Sequence, residues 1–249
     1  MIKIVTLNHT VLGDGTPKIC VPVVGRTQEE ICRQAVEIAA VEPDLVEWRV
    51  DFYEDIFEPA KAGETLGKLT EILKEIPVLF TFRSSLEGGE KAITAEAYFS
   101  LNVWAAAQSG ISMVDVEGRR ADLDSRALVA AIHEAGTPVV VSNHFFHETP
   151  ATEMLDSIFE ELEATGADIL KLAVMPQNDM DVIRLLEVTT RLKEKTDKPV
   201  ITMSMGKLGV VSRVCGSLTG SAMTFGTVGA ASAPGQLPVK DLRKILGYL

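Results

Sequence analysis

Eight short apolar runs, each followed by a stretch in which apolar residues recur every three or four positions, fill most of this 249-residue chain. The runs span 19–24, 45–50, 78–83, 112–117, 139–144, 169–174, 200–203 and 222–225. A short apolar run bounded by turn residues reads as a buried strand, and a 3.6-residue period as a helix. The helical stretches cover 28–41, 62–75, 95–108, 124–135, 151–164, 179–195, a short piece at 210–214, and 239–249. Thr27 stands where the first helix needs an N-cap, and Gly110, Gly136 and Gly166 stand where helices stop. Strands that alternate with helices imply a parallel sheet. Eight such units in a chain of about 250 residues imply a closed (β/α)8 TIM barrel rather than an open doubly wound sheet. No Gly-x-Gly-x-x-Gly follows the first strand, which weakens a dinucleotide-binding reading. No linker divides the chain, so residues 1–249 are expected to form one domain. Residues 2–7 alternate, and Gly13-Asp14-Gly15 is a turn signal, so an N-terminal β-hairpin closing the bottom of the barrel is expected.

A formal net charge of −11 argues against nucleic acid as a partner, since phosphate binding needs a basic face. Cys20, Cys32 and Cys215 form no framework and read as small apolar residues in a reducing compartment. No stretch approaches the roughly 20 apolar residues of a membrane span. The opening Met1-Ile2-Lys3-Ile4-Val5 lacks the apolar region of a signal peptide. A cytoplasmic, soluble protein is expected.

One strand breaks the apolar rule. In Ile169-Leu170-Lys171-Leu172-Ala173-Val174 a lysine sits between leucines. Lysine is almost never buried unless it is paired or used. Desolvation disfavours an ammonium, and a neutral amine in a closed pocket can attack a carbonyl to form a Schiff base. The strand alone leaves a core ion pair equally open.

The other strands narrow the choice. Side chains alternate across a strand, so residues of one parity share a face. Glu47 and Arg49, Thr81 and Arg83, Asp115 and Glu117, Ser142 and His144, and Lys171 each keep one parity in five consecutive strands, while the opposite parity is almost wholly apolar. Helices cover the outside of a parallel barrel, so the charged face must point inward, at the C-terminal strand ends where such barrels place active sites. Lys171 is the candidate nucleophile. His144 is the candidate general acid/base, because an imidazole runs either way near neutrality. His133 falls on a helix surface, His9 in the N-terminal segment away from the mouth, and His147 in the loop after His144, where it remains a second candidate. Arg49 and Arg83 suit a carboxylate or hydroxyl oxygens. Asp115, Glu117 and Glu47 could hold Mg²⁺, but a lysine and two arginines in the same cavity disfavour a cation, and no metal is expected. The stretch 226–238, rich in Gly, Ala and Ser, reads as a mobile loop at the barrel mouth.

These residues carry a family resemblance. Glu47-Trp48-Arg49-Val50-Asp51, Thr81-Phe82-Arg83-Ser84 with Glu87-Gly88-Gly89-Glu90, Ser142-Asn143-His144, Lys171-Leu172-Ala173-Val174-Met175-Pro176, Thr202-Met203-Ser204-Met205-Gly206 running to Ser212-Arg213, and Ala231-Ser232-Ala233-Pro234-Gly235-Gln236 occur in one order. Over essentially its whole length the chain resembles the type I 3-dehydroquinate dehydratases, lyases of the shikimate pathway. The resemblance implies that Lys171 forms a Schiff base with the C3 ketone of 3-dehydroquinate. It implies that His144 removes a C2 proton and later protonates the departing hydroxyl, and that Glu87 orients His144. It further implies that Arg213 clamps the substrate carboxylate with Ser232 and Gln236, that Glu47, Arg49 and Arg83 meet the ring hydroxyls, and that Met203 and Met205 form an apolar wall. No cofactor and a homodimer are also implied. Pro22 stands where members can carry a serine, and Phe145 where an aspartate is frequent. Two readings compete with this one: another Schiff-base barrel enzyme of the class I aldolase or transaldolase type, and a binding protein that retains only the pocket.

Overall fold

The computed structural model describes residues 2–229 and 233–249. The chain opens with an antiparallel hairpin, β1 (Val5–Leu7) and β2 (Thr10–Leu12). Eight parallel strands follow: β3 (Lys18–Val23), β4 (Leu45–Arg49), β5 (Val78–Thr81), β6 (Met113–Glu117), β7 (Val139–His144), β8 (Ile169–Val174), β9 (Val200–Ser204) and β10 (Met223–Thr227). Six helices connect the first seven of these: α1 (Gln28–Ala39), α2 (Pro59–Leu73), α3 (Ala95–Ala106), α4 (Ser125–Glu134), α5 (Thr152–Ala164) and α6 (Asp179–Lys195). A 3-10 segment (Leu208–Arg213) and a short helix α7 (Gly216–Thr219) lead into β10. A two-residue strand β11 (Leu237–Pro238) and helix α8 (Val239–Leu246) complete the fold.

The expected barrel is present. Each of β3 to β8 pairs in parallel with the next, and β10 pairs back onto β3. The ring closes between β9 and the residues entering β10. There Val200 bridges Ser221, the Ala222 amide donates to the Val200 carbonyl at 2.7 Å, and the Ser221 hydroxyl accepts from the Thr202 amide at 3.0 Å. A side-chain oxygen thus replaces one main-chain acceptor at the seam.

Capping sets the helix starts. The side chains of Thr27, Thr94, Asp124 and Asn178 accept amides of the first turns of α1, α3, α4 and α6. Helix α2 begins earlier than its apolar period suggests, because Pro59 supplies a preset φ at its first turn.

Two cores follow from strand alternation. Outward residues such as Trp48, Phe80, Phe82, Val114 and Leu170 pack under the helices. Inward residues form a second cluster that includes Cys20, Leu45, Leu79, Met113, Val140, Ile169, Ile201 and Met223. On each charged strand the apolar inner residue precedes the ionisable one, so the barrel floor is apolar and its mouth is charged.

The hairpin seals that floor through Leu7 and Leu12, both buried in the inner cluster. Its turn differs from the expected one. It lies at Asn8 and His9, where Asn8 takes φ 50° and its amide donates to the Glu75 carbonyl at 2.9 Å. Asparagine tolerates the left-handed region because its short polar side chain bonds locally. Gly13 and Gly15, at φ 93° and 96°, instead turn the chain from β2 toward β3. No helix among the described residues is long and apolar enough to cross a membrane.

The floor carries a stability prediction. Leu12→Ala removes a fully buried plug remote from the charged mouth and is expected to cost about 2–5 kcal/mol. Chemical denaturation of the variant measures this, and a loss below about 0.5 kcal/mol would mean that the hairpin does not seal the core.

Candidate active site

Period-2 alternation brings the predicted inward residues to one cavity. Glu47, Arg49, Arg83, His144, Lys171, Met203 and Met205 line it, joined by Glu87, Arg213 and Gln236 from turns and a loop. Ser232 lies outside the described residues, as does the centre of the loop expected to cover the mouth.

Lys171, 3% exposed, enters from the middle of β8. Its Nζ donates to Asp115 Oδ2 at 3.1 Å, lies 3.9 Å from Glu47 Oε1, and sits 4.8 Å above the centre of the Phe225 ring. The ion pair and the candidate nucleophile are therefore the same group. Asp115 also accepts from Arg83 Nη2 at 2.6 Å and from the Ser142 hydroxyl at 2.7 Å. Burial pushes the Asp115 carboxyl up, but Arg83, Lys171 and these hydrogen bonds outweigh it and hold it at about 2.

Arg83 is shared among three acids. Its Nη1 lies 3.2 Å from Glu117 Oε1 and 3.5 Å from Glu87 Oε2, besides the contact to Asp115. Glu117 in turn accepts from the Ser84 amide and hydroxyl, each at 2.7 Å. Arg49 makes a bidentate pair with Asp51, both contacts at 2.8 Å. Glu47 accepts from the Thr81 hydroxyl at 3.0 Å. The carboxylates weighed as a Mg²⁺ set are thus bound to the protein's own cations and hydroxyls. Among the described residues no group of His, Cys, Asp and Glu is arranged to hold a metal.

His144 ends β7. Its Nδ1 meets Glu87 Oε2 at 2.8 Å. Burial lowers the imidazole well below its ordinary value, with Arg83, Lys171 and Arg49 adding to the effect. The ring is therefore neutral at neutral pH, and with Nδ1 held by Glu87 its Nε2 is the basic atom. Glu87 was expected in a loop. It sits in a 3-10 turn, Ser85–Glu87, and is only 7% exposed. Gly88 and Gly89 make that turn possible: Gly88 takes φ 77°, and a Cβ on Gly89 would fall 1.8 Å from the Arg83 carbonyl. Burial raises the Glu87 carboxyl to about 7, against the opposing charge of Arg83.

Arg213 closes the 3-10 segment and is 2% exposed. Its Nη2 donates to the Pro234 carbonyl at 2.9 Å, while Nε and Nη1 find no partner among the described residues. Burial without an acid beside it lowers its pKa to about 10. A desolvated guanidinium with unpaired N–H groups facing a cavity suits an anionic ligand, and a carboxylate in particular.

The remaining histidines lie elsewhere. His9 is at the floor hairpin beside Glu75, His133 pairs with Asp168 on the surface, and His147 is exposed and does not line the cavity. Pro22 is buried in β3. Phe145 packs on the outer core rather than at the site.

Two aromatic residues of the lining, Phe225 and Phe146, were given no role from sequence. Phe225 shares the inward parity of Met223, so the signal was present. Phe146 continues the His144 parity and stacks on its ring, with centroids 6.4 Å apart. Asn143 has the opposite parity, so alternation alone turns it away from the site, yet its amide donates to Glu87 Oε1 at 2.8 Å.

The raised Glu87 carboxyl yields a signed prediction. Below its ordinary pKa of 4.5 it is protonated both folded and unfolded and contributes nothing; between there and about 7 the unfolded chain ionises first, so stability falls as pH rises. Glu87→Gln is therefore expected to gain thermal stability on the wild type across that interval. Melting temperatures compared at its two ends test this, and a constant difference would contradict it.

Comparison with known proteins places this geometry. The family profile described as type I 3-dehydroquinase matches residues 19–249. A 3-dehydroquinate dehydratase of Listeria welshimeri is 47% identical over 249 residues, covering 100% of this chain and 98% of that protein. One from Klebsiella pneumoniae is 45% identical over 250 positions and covers 100% of both. The type I 3-dehydroquinate dehydratase of Clostridium difficile, solved with covalently modified comenic acid, superposes with a TM-score of 0.95 at 40% identity, over 100% of this chain and 98% of that one. The carboxyl transferase domain of Rhizobium etli pyruvate carboxylase, 13% identical with a TM-score of 0.72, shares the fold alone.

Proposed function

Because the chain belongs to the type I 3-dehydroquinase family and is a lyase that dehydrates 3-dehydroquinate, we propose that it does so through an imine on Lys171, with His144 as general acid and base. The observation that carries this reading is the pairing of two groups in one cavity. Lys171 is the lysine that lines it, and His144, held by Glu87 through Nδ1, turns its basic Nε2 to the same space. The Clostridium difficile relative, solved with a covalently modified ligand, is in keeping with covalent chemistry.

The steps follow from the groups present. Lys171 gives up its ammonium proton, its amine adds to the C3 ketone, and the carbinolamine takes up a proton and loses water to give an iminium. The iminium stays cationic, so it keeps the partners of the ammonium, Asp115 and the Phe225 face. It withdraws electrons from C2, and His144 Nε2 takes the C2 proton, leaving an enamine. The imidazolium so formed is stabilised by Glu87. It returns the proton to the C1 hydroxyl on the same face, a syn elimination. Water departs as the enamine electrons form the new C=C bond, and hydrolysis of the iminium releases 3-dehydroshikimate and restores the lysine. Arg213 binds the substrate carboxylate with Gln236, joined by Ser232. Glu47, Arg49 and Arg83 meet the ring hydroxyls, and Met203 and Met205 cover the ring. The same reading has the protein act without a cofactor, as a cytoplasmic homodimer, on a small molecule and not on nucleic acid or a membrane.

Borohydride added with 3-dehydroquinate tests the covalent step. A stable mass increase is expected on the peptide that contains Lys171 and is absent from Lys171→Ala; an adduct elsewhere, or none, overturns the mechanism. His144→Ala separates the two groups. It is expected to trap the imine still, while turnover falls by about 10²–10⁴-fold. Near-normal turnover in that variant would remove the histidine from the reaction.

A further inference from the structure

The Glu87–His144 pair has a third member on its far side. Asn143 immediately precedes His144 in β7, so its side chain leaves the opposite face of the strand. The 3-10 turn Ser85–Glu87 nevertheless folds over the rim, and the two side chains meet: Asn143 Nδ2 donates to Glu87 Oε1 at 2.8 Å. Glu87 Oε2 receives His144 Nδ1 at 2.8 Å, with Arg83 Nη1 3.5 Å away. Each carboxylate oxygen thus has its own donor, and rotation of the group about its last bond would break both contacts. Asn143 is itself buried, and its Oδ1 has no partner among the described residues.

We infer that Asn143 is a positioning residue of the reaction: its amide holds the Glu87 carboxylate in the one rotation and ionised state that leaves His144 with a free, basic Nε2. The inference rests on the assignment of His144 and Glu87 made above and adds a residue to it. The chemistry is directional. An amide N–H bonds more strongly to a charged carboxylate oxygen than to the neutral acid, so its contact stabilises the carboxylate form of Glu87. A carboxylate beside Nδ1 accepts the ring N–H, which fixes the tautomer.

The other charges around Glu87 leave room for this effect. Arg83, from the segment just after β5, favours ionisation, while Glu117 and Asp115 from β6 and burial oppose it. Lys171 from β8 and Arg49 from β4 act on the histidine end and disfavour the imidazolium. Because Glu87 and His144 are in contact, they take up a proton as one unit. Loss of the Asn143 donor makes that unit easier to protonate, and protonation removes the base.

The test is the pH profile of kcat/KM for 3-dehydroquinate in Asn143→Leu, of similar size but without a donor, and in the nearly isosteric Asn143→Asp. In Asn143→Leu the acid limb is expected to move to higher pH by about one to two units, the worth of one hydrogen bond to a charged group. Asn143→Asp, which sets a second carboxylate against Glu87, is expected to move it at least as far. Activity should recover in both as pH rises. A purely structural role lowers activity evenly at every pH, so an acid limb that stays in place in Asn143→Asp overturns the inference, including the case where Asn143→Leu does not fold. Borohydride trapping on the same proteins keeps the two levels apart. An adduct on Lys171 with an unmoved limb refutes the role of Asn143 alone, whereas no adduct in the wild type refutes the mechanism beneath it.

Discussion

Asp115 has no exposed surface and carries a full charge in the centre of the barrel. The rest of the site is arranged around that fact. An ionised carboxylate buried alone would be too costly to keep, so it must be met by opposite charge and by hydrogen bonds. Lys171, Arg83 and Ser142 supply both, from β8, from the segment just after β5 and from β7. One acid on one strand thereby fixes the positions of the proposed nucleophile, a guanidinium and a hydroxyl contributed by three other segments. Parallel strands make the arrangement possible, because their C-terminal ends meet at one end of the barrel.

Charge that is not balanced in this way marks where the site acts. Arg49 and Arg83 are satisfied by Asp51, Asp115 and Glu117, and they serve as fixed elements of the field. Arg213 is buried with Nε and Nη1 unpaired among the described residues, an environment suited to an anion. Glu87 is buried with too little cation to keep it firmly ionised, so its proton is easily gained and lost. The histidine beside it is neutral for the same reason of burial. Stability would favour completing each of these pairs. The proposed catalysis needs them incomplete, and the two demands separate between the Asp115 cluster and the rim.

The barrel and much of its site were legible because they depend on periods. A strand period of two made the inward parity of Glu47, Arg49, Arg83, Asp115, Glu117, His144 and Lys171 readable without coordinates, and each of the seven lies where that parity puts it. Residues outside regular strands escaped this logic. Glu87 and Arg213 occupy 3-10 turns, whose path over the rim depends on glycines and local packing, and family resemblance rather than period pointed to them. The hairpin turn was misplaced for a similar reason. Gly-Asp-Gly is the stronger generic signal, but Asn8 tolerates the left-handed backbone and finds a carbonyl on the loop after α2. Asn143 shows the limit of parity most clearly, since its parity turns it away from the barrel interior and it still reaches the Glu87–His144 pair.

By itself, then, the sequence determined the closed barrel, its apolar floor, its charged mouth and the identity of the lysine and histidine within it. These follow from the spacing of apolar and ionisable residues along each strand, which is local information. The tertiary structure alone decided who partners whom: that Lys171 pairs with Asp115, that Arg83 is divided among three acids while Arg213 has none beside it among the described residues, and that Asn143 and His144 grip the two oxygens of Glu87. Apart from Arg83–Glu87, those contacts join residues tens of positions apart through ring closure and loop folding. Their energies depend on burial and on distances of about 3 Å, which no spacing along the chain encodes.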